Sequence, residues 1–182
     1  NKIITKEISN TSGSITFSLD DKYIFYSKLD ENHRARKIYR HEIGNFSGED
    51  ELIFEEKSKA FTVGIGISSD EKYYFISTSD HNTSEQYYFD VHEENPKPKI
   101  IKQRKKGIIY SVNSWDNYFY NHTNEDAEDF KIEFCDNLSN QNWKSFIPAK
   151  DEVLIGGLAF LKNWIVRSET SNALSKLILR NP

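Results

Sequence analysis

This sequence predicts an all-β fold assembled from repeated four-stranded units, on three observations. One design recurs along the chain: an apolar-leaning strand, a polar turn, then an aromatic residue opening a second strand. The turns are Asp20-Asp21-Lys22 before Tyr23, Asp70-Glu71-Lys72 before Tyr73, Asp116-Asn117 before Tyr118, and Lys162-Asn163 before Trp164. The aromatic openers follow one another by 50 (23 to 73), 45 (73 to 118) and 46 (118 to 164) residues. Aromatics make up 14% of the chain, mostly Tyr and Phe, which suit pleated, half-buried surfaces. No helical period of useful length appears; the best candidate, 124–130, reads as a short acidic loop. A period of about 40 to 50 residues with several strands per unit is what propeller blades produce. A blade cannot bury both faces alone, so the repetition describes how the core is built. The expected architecture is a partial β-propeller: about three complete four-stranded antiparallel blades and an incomplete one.

The first blade is expected over 14–55, with strands at 14–19, 23–27, 37–43 and 51–55. Weak alternation in Tyr23-Ile24-Phe25-Tyr26 fits a strand buried on both faces. Residues 37–43 alternate better, and Gly44 stops them. The segment 30–36 is a charged loop. The second blade spans 62–103, with strands at 62–68, 73–79, 85–91 and 99–103; two prolines in 93–98 bar regular structure before its last strand. The third spans 108–147, with strands at 108–113, 118–123, 130–136 and 143–147. The fourth, 153–182, has strands at 153–160, 164–168 and 173–179 and lacks a fourth.

Composition narrows the function classes. The 182 residues carry a net charge of −4, with a sequence pI near 5.8, so no global field favours nucleic acid or an anionic membrane. The single cysteine, Cys135, leaves no internal disulfide and fits a reducing compartment. The most apolar stretch, 153–166, is broken by Lys162-Asn163 and is far from a spanning helix. The N-terminus shows no signal-peptide pattern, so the expected location is cytoplasmic. There is no methionine, not even at position 1, and the chain is expected to be an internal piece of a longer protein.

Few residues suggest chemistry. His33, His41, His81, His92 and His122 have no pair at zinc-finger spacing, so no metal and no cofactor is expected. His41 reads as a packed or hydrogen-bonded strand residue. Asp136 beside Cys135 argues against an activated thiol. The run Lys97, Lys99, Lys102, Arg104, Lys105, Lys106 lacks interleaved aromatics and reads as an outer strand whose lysines guard a sheet edge. Asp30, Glu31, Asp50, Glu51, Glu55 and Glu56 form an acidic counterpart, either a solvated surface or an attractor for basic side chains. Arg34 and Arg36 sit in the 30–36 loop, at a blade end where domains or ligands dock. Asn10, Asn45, Asn82, Asn121 and Asn137 open N-x-S/T sequons, read as chance in an Asn- and Ser-rich chain.

Asp30 through Arg34, Leu52 through Lys57, Thr83-Ser84-Glu85 and Trp143 through Pro148 together resemble stretches of the oligopeptidase B (protease II) group of the prolyl oligopeptidase family of serine peptidases. Asp30-Glu31-Asn32-His33-Arg34 with Ile38-Tyr39-Arg40-His41-Glu42-Ile43-Gly44 looks like the third-strand region of an early blade. Leu52-Ile53-Phe54-Glu55-Glu56-Lys57 and Thr83-Ser84-Glu85 resemble later strands of that group. Trp143 through Pro148, then Val153, Gly157, Phe160 and Trp164-Ile165-Val166, fit another of its segments.

The resemblance implies a seven-bladed propeller joined to an α/β-hydrolase domain that holds the Ser, Asp and His triad. Nothing here matches the nucleophile elbow: Gly64, Gly66, Gly156 and Gly157 do not flank a serine in a G-x-S-x-G pattern. No catalytic residue is carried over, and the piece alone is expected to be inactive. It implies that the parent cleaves short peptides after Lys or Arg, with the propeller gating access. Glu31 and Glu55 become candidates for steering cationic peptides, and Arg34 and Arg36 for contact with the hydrolase domain. A stand-alone propeller scaffold for a protein or ligand is the alternative. Exposed blade edges are expected to promote self-association.

Overall fold

The computed structural model describes residues 8–181. Among them there is no α-helix, and so none long and apolar enough to cross a membrane. Fifteen strands among the described residues form four antiparallel sheets, each a meander in chain order. The first holds β1 (Thr11–Phe17), β2 (Tyr23–Leu29), β3 (Ala35–Glu42) and β4 (Glu51–Glu55). The second holds β5 (Thr62–Ile67), β6 (Tyr73–Ser79), β7 (Ser84–Asp90) and β8 (Lys99–Lys102). The third holds β9 (Tyr110–Trp115), β10 (Tyr118–Thr123), β11 (Lys131–Cys135) and β12 (Lys144–Ile147). The fourth has three strands among the described residues: β13 (Leu154–Leu161), β14 (Trp164–Ser171) and β15 (Leu174–Arg180). Consecutive four-stranded meanders are the blades of a β-propeller, and the fold class is that of a partial one.

The polar turns set where strands stop. Ser18 Oγ donates to Asp20 Oδ1 at 2.7 Å and accepts from Tyr23 N at 2.9 Å. This closes the turn early, so Leu19, read as strand from sequence, lies in the turn and β1 begins earlier instead. The hairpin between β9 and β10 turns on Asp116 and Asn117, both left-handed at φ 49° and 65°. A two-residue turn with both φ positive matches the twist of its flanking strands, which lets β9 run on to Trp115 rather than stop at 113. Asn172 and Ala173, at φ 50° and 60°, make the same turn between β14 and β15.

The chain forms two compact units. One contains the first two sheets and the other the last two, with Ser68–Asp70 and Asn82–Ser84 grouped with the second. In the first unit, Phe25, Ile38 and Ile53 from the first sheet meet Val63, Tyr74, Ile76 and Phe89 from the second. In the second unit, Tyr120, Ile132 and Ile147 pack with Ile155. Each core joins two sheets, which is the burial a lone blade cannot achieve.

Candidate functional site

Three of the four residues singled out from sequence, Glu31, Arg36 and Glu55, line one cleft of about 380 Å³ in the first unit. Lys28, Leu29, Asp30, Lys37, Tyr39 and Lys59 also line it. The geometry starts from the β2–β3 loop. Asp30 Oδ1 accepts the amides of Asn32 (2.9 Å) and Arg34 (3.0 Å), and Asp30 N donates to Arg34 O at 2.9 Å. His33 is left-handed at φ 59° and completes the tight loop. The backbone hydrogen bond from Arg34, which favours the ionised form, holds the Asp30 carboxyl below its ordinary range. Glu31 sits exposed at the loop tip and makes no ion pair among the described residues.

Arg34 and Arg36 are anchored rather than free. Arg34 Nη1 donates to Lys59 O at 2.8 Å. Arg36 donates from Nε and Nη2 to Glu56 O, and from Nη1 to Ser58 O at 2.6 Å. The Glu56 side chain is buried and its Oε1 accepts Ser58 N at 2.7 Å. Two arginines thus tie down the connection that leads from β4 to β5. Backbone carbonyls carry no net charge, so these bonds position the guanidinium groups without neutralising them.

The acidic run read from sequence is dispersed by the fold. Asp50 is buried between His41 (2.7 Å) and the Tyr26 hydroxyl (2.8 Å). Glu51 pairs with Arg40, and Glu55 with Lys37 at 3.3 Å. Within the cleft, three carboxylates (Asp30, Glu31, Glu55) face four cations (Lys28, Arg36, Lys37, Lys59). Its lining is therefore mixed in charge. Sequence reading missed Lys28, Lys37, Tyr39 and Lys59 as cleft residues. The signal for two of them was present: Lys37 and Tyr39 alternate onto one face of β3, and Lys28 Nζ lies 5.3 Å from the Tyr39 ring centroid.

Elsewhere, the second unit holds a dense ionic cluster that sequence reading did not find. Glu169 on β14 is buried and takes Lys150 at 2.7 Å, Arg167 at 2.9 Å and Lys176 at 3.5 Å. The Lys150 hydrogen bond, aided by Arg167, holds its carboxyl down at about 2. Cys135 is buried, and burial pushes its thiol up to about 11. His122 Nε2 donates to Ile155 O (2.7 Å), its ring stacks on Phe130, and burial lowers its pKa. Asn121, one of the sequon asparagines, is buried on β10. No three His, Cys, Asp or Glu side chains among the described residues converge as metal ligands. Lys99 and Lys102 lie on β8, the last strand of its sheet.

Comparisons with known proteins align with this architecture. Residues 1–181 match the family described as "Prolyl oligopeptidase, N-terminal beta-propeller domain". Protease 2 of Moraxella lacunata is 32% identical over 157 residues, covering 80% of this chain and 23% of that protein. Dipeptidyl aminopeptidase BI of Pseudoxanthomonas mexicana is 26% identical over 180 residues, covering 97% of this chain and 25% of that protein. Oligopeptidase B from Trypanosoma brucei superposes with a TM-score of 0.91 at 24% identity, over 98% of this chain and 26% of that one. Oligopeptidase B from Leishmania major gives 0.92 at 23% identity, over 99% and 26%. The chain spans about a quarter of the length of these relatives. It belongs to the prolyl oligopeptidase family, within the N-terminal β-propeller domain.

Proposed function

We propose that this chain is a non-catalytic propeller segment of an oligopeptidase B-like serine peptidase. On this reading the parent is cytoplasmic and hydrolyses short peptides after Lys or Arg. The propeller packs on the hydrolase domain of the same polypeptide and limits access to the nucleophile. The observation that carries the reading is the 32% identity to Protease 2, in a stretch whose family description is the propeller. The chain also lacks a G-x-S-x-G segment, so acyl-enzyme chemistry has no nucleophile elbow here.

The four candidate residues take distinct roles within this reading. Arg34 and Arg36 brace the 56–59 connection and keep their charge available to a carboxylate on a facing domain. Glu55 is offset by Lys37, which leaves Glu31 as the exposed carboxylate for drawing in cationic peptides.

The chain by itself is expected to leave an Arg- or Lys-containing chromogenic peptide intact. Turnover that a serine reagent abolishes would overturn the reading. In the longer enzyme, Glu31→Gln should weaken the salt dependence of kcat/KM more than Glu55→Gln does. Unchanged dependence in both would sink the steering role and leave the family reading standing.

A further inference from the structure

The outer strands of the first two sheets carry opposite charges at equivalent positions. Among the described residues, β4 and β8 each close their sheet, pairing with β3 and β7 alone. Their registers match. On β4, Glu51 faces Arg40 and Leu52 faces Tyr39, then the ladder shifts around Ile53. On β8, Lys99 faces Tyr88 and Ile100 faces Tyr87, then the ladder shifts around Ile101. Glu51 and Lys99 are therefore counterparts, as are Leu52 and Ile100. Both apolar residues are exposed at the rim, at 46% and 41%. β4 runs from Glu51 to Glu55 and β8 from Lys99 to Lys102, so each strand bears one sign of charge at both ends.

We propose that β4 of one copy of this protein pairs antiparallel with β8 of a second copy, joining the two sheets edge to edge. An outer strand offers backbone donors and acceptors to any extended segment, and side-chain charge selects the partner. Pairing β4 with β4 sets glutamates against glutamates, and β8 with β8 sets lysines against lysines. Only the crossed pairing sets an acidic strand against a basic one: with Glu51 opposite Lys102, Lys99 falls opposite Phe54, next to Glu55. β12, the outer strand of the third sheet, has a lysine at one end only, at Lys144, and is the poorer match. Arg40 and Lys37 each bind one of the β4 carboxylates from β3, and a carboxylate has lone pairs for a further donor. Each copy carries both strands, so the contact can be made reciprocally.

The test is sedimentation equilibrium on the whole chain at low and high salt, with two charge-reversed variants. The wild type should associate at low salt, and added salt should weaken it. Glu51→Lys with Glu55→Lys, or Lys99→Glu with Lys102→Glu, should each weaken association by about tenfold or more, since like charges then meet. Mixing the two variants should restore association as a heterodimer, which a misfolded variant could not do. If the glutamate variant fails to fold once Arg40 and Lys37 lose their partners, Lys99→Glu alone carries the test. A wild type that stays monomeric at every concentration, association indifferent to these reversals, or no recovery on mixing would each overturn the proposal.

Discussion

His41 Nδ1 lies 2.7 Å from Asp50 Oδ1, and the other carboxylate oxygen of Asp50 accepts the Tyr26 hydroxyl at 2.8 Å. The Asp50 side chain is 4% exposed, and Tyr26 is buried and stacked on Tyr39. The carboxylate thus joins β2, β3 and the segment entering β4. Removing one partner of a buried polar contact leaves the others unsatisfied, at about 1–3 kcal/mol each. Asp50→Ala is therefore expected to cost about 2–4 kcal/mol in chemical denaturation. Tyr26→Phe, which orphans no donor, should cost about 1 kcal/mol. Equal losses in the two variants would refute the shared-carboxylate account.

Glu169 gives the fold a specific acid sensitivity. Its folded-state pKa is depressed from 4.5 to about 2 by Lys150 and Arg167. A depressed carboxylate contributes stability that is present above its unfolded pKa and is lost as pH falls through the folded one. The loss from this group therefore runs from pH 4.5 down to about 2. Subtracting the stability of Glu169→Gln from that of the wild type across this window should leave a difference that shrinks on acidification. A constant difference would mean that the cations around Glu169 do not favour its ionised form.

Two adjacent glycines on β13 should respond differently to the same change. A Cβ at Gly156 would lie 1.9 Å from Ser168 Oγ and 3.1 Å from the Ser168 carbonyl oxygen, whereas at Gly157 it would meet nothing within 4 Å. Overpacking costs about 1–3 kcal/mol. Gly156→Ala is expected to lower stability by that much, with partial recovery on adding Ser168→Ala. Gly157→Ala should be close to neutral. Thermal denaturation of the three variants decides the matter, and equal effects at both glycines would contradict the packing.

Cys135 should be silent toward thiol reagents in the folded chain. It is 2% exposed, and burial raises its pKa to about 11, so the thiolate is scarce near neutral pH. Reaction with a disulfide reagent at mildly alkaline pH is expected to wait on unfolding and to accelerate with denaturant. Rapid stoichiometric labelling under native conditions would contradict this placement.

The recurring turns were legible because their chemistry is local. Asp20 and its neighbours close a turn through Ser18 within a few residues, and Asp116-Asn117 adopt the two left-handed conformations a tight hairpin requires. The opening aromatics of β2, β6, β10 and β14 follow these turns, so the count and order of hairpins could be read directly. Strand ends were less legible. Leu19 looks like strand by hydrophobicity, yet the Ser18 side chain terminates β1 before it.

The candidate site was less legible because charges were read by proximity in sequence. Asp50 and Glu51 are neighbours, yet one is buried against His41 and the other pairs with Arg40. Arg34 and Arg36 look like free loop cations, but their donors reach carbonyls more than 20 residues away. Such partners depend on which strands pair and on the ladder shift at Ile53, where one extra residue changes which side chains face β3.

The sequence by itself pointed to an all-β chain of repeated meanders, through short-range alternation and turn residues, and to its family, through the resemblance of segments such as Leu52 to Lys57 and Trp143 to Pro148. Only the tertiary structure decided that the acidic run is split among separate partners and that, of the two candidate carboxylates in the cleft, Glu55 is paired with Lys37 while Glu31 makes no ion pair among the described residues. It also decided that Glu51 and Lys99 occupy matching edge positions. Those outcomes depend on cross-strand register and burial, which bring distant residues together.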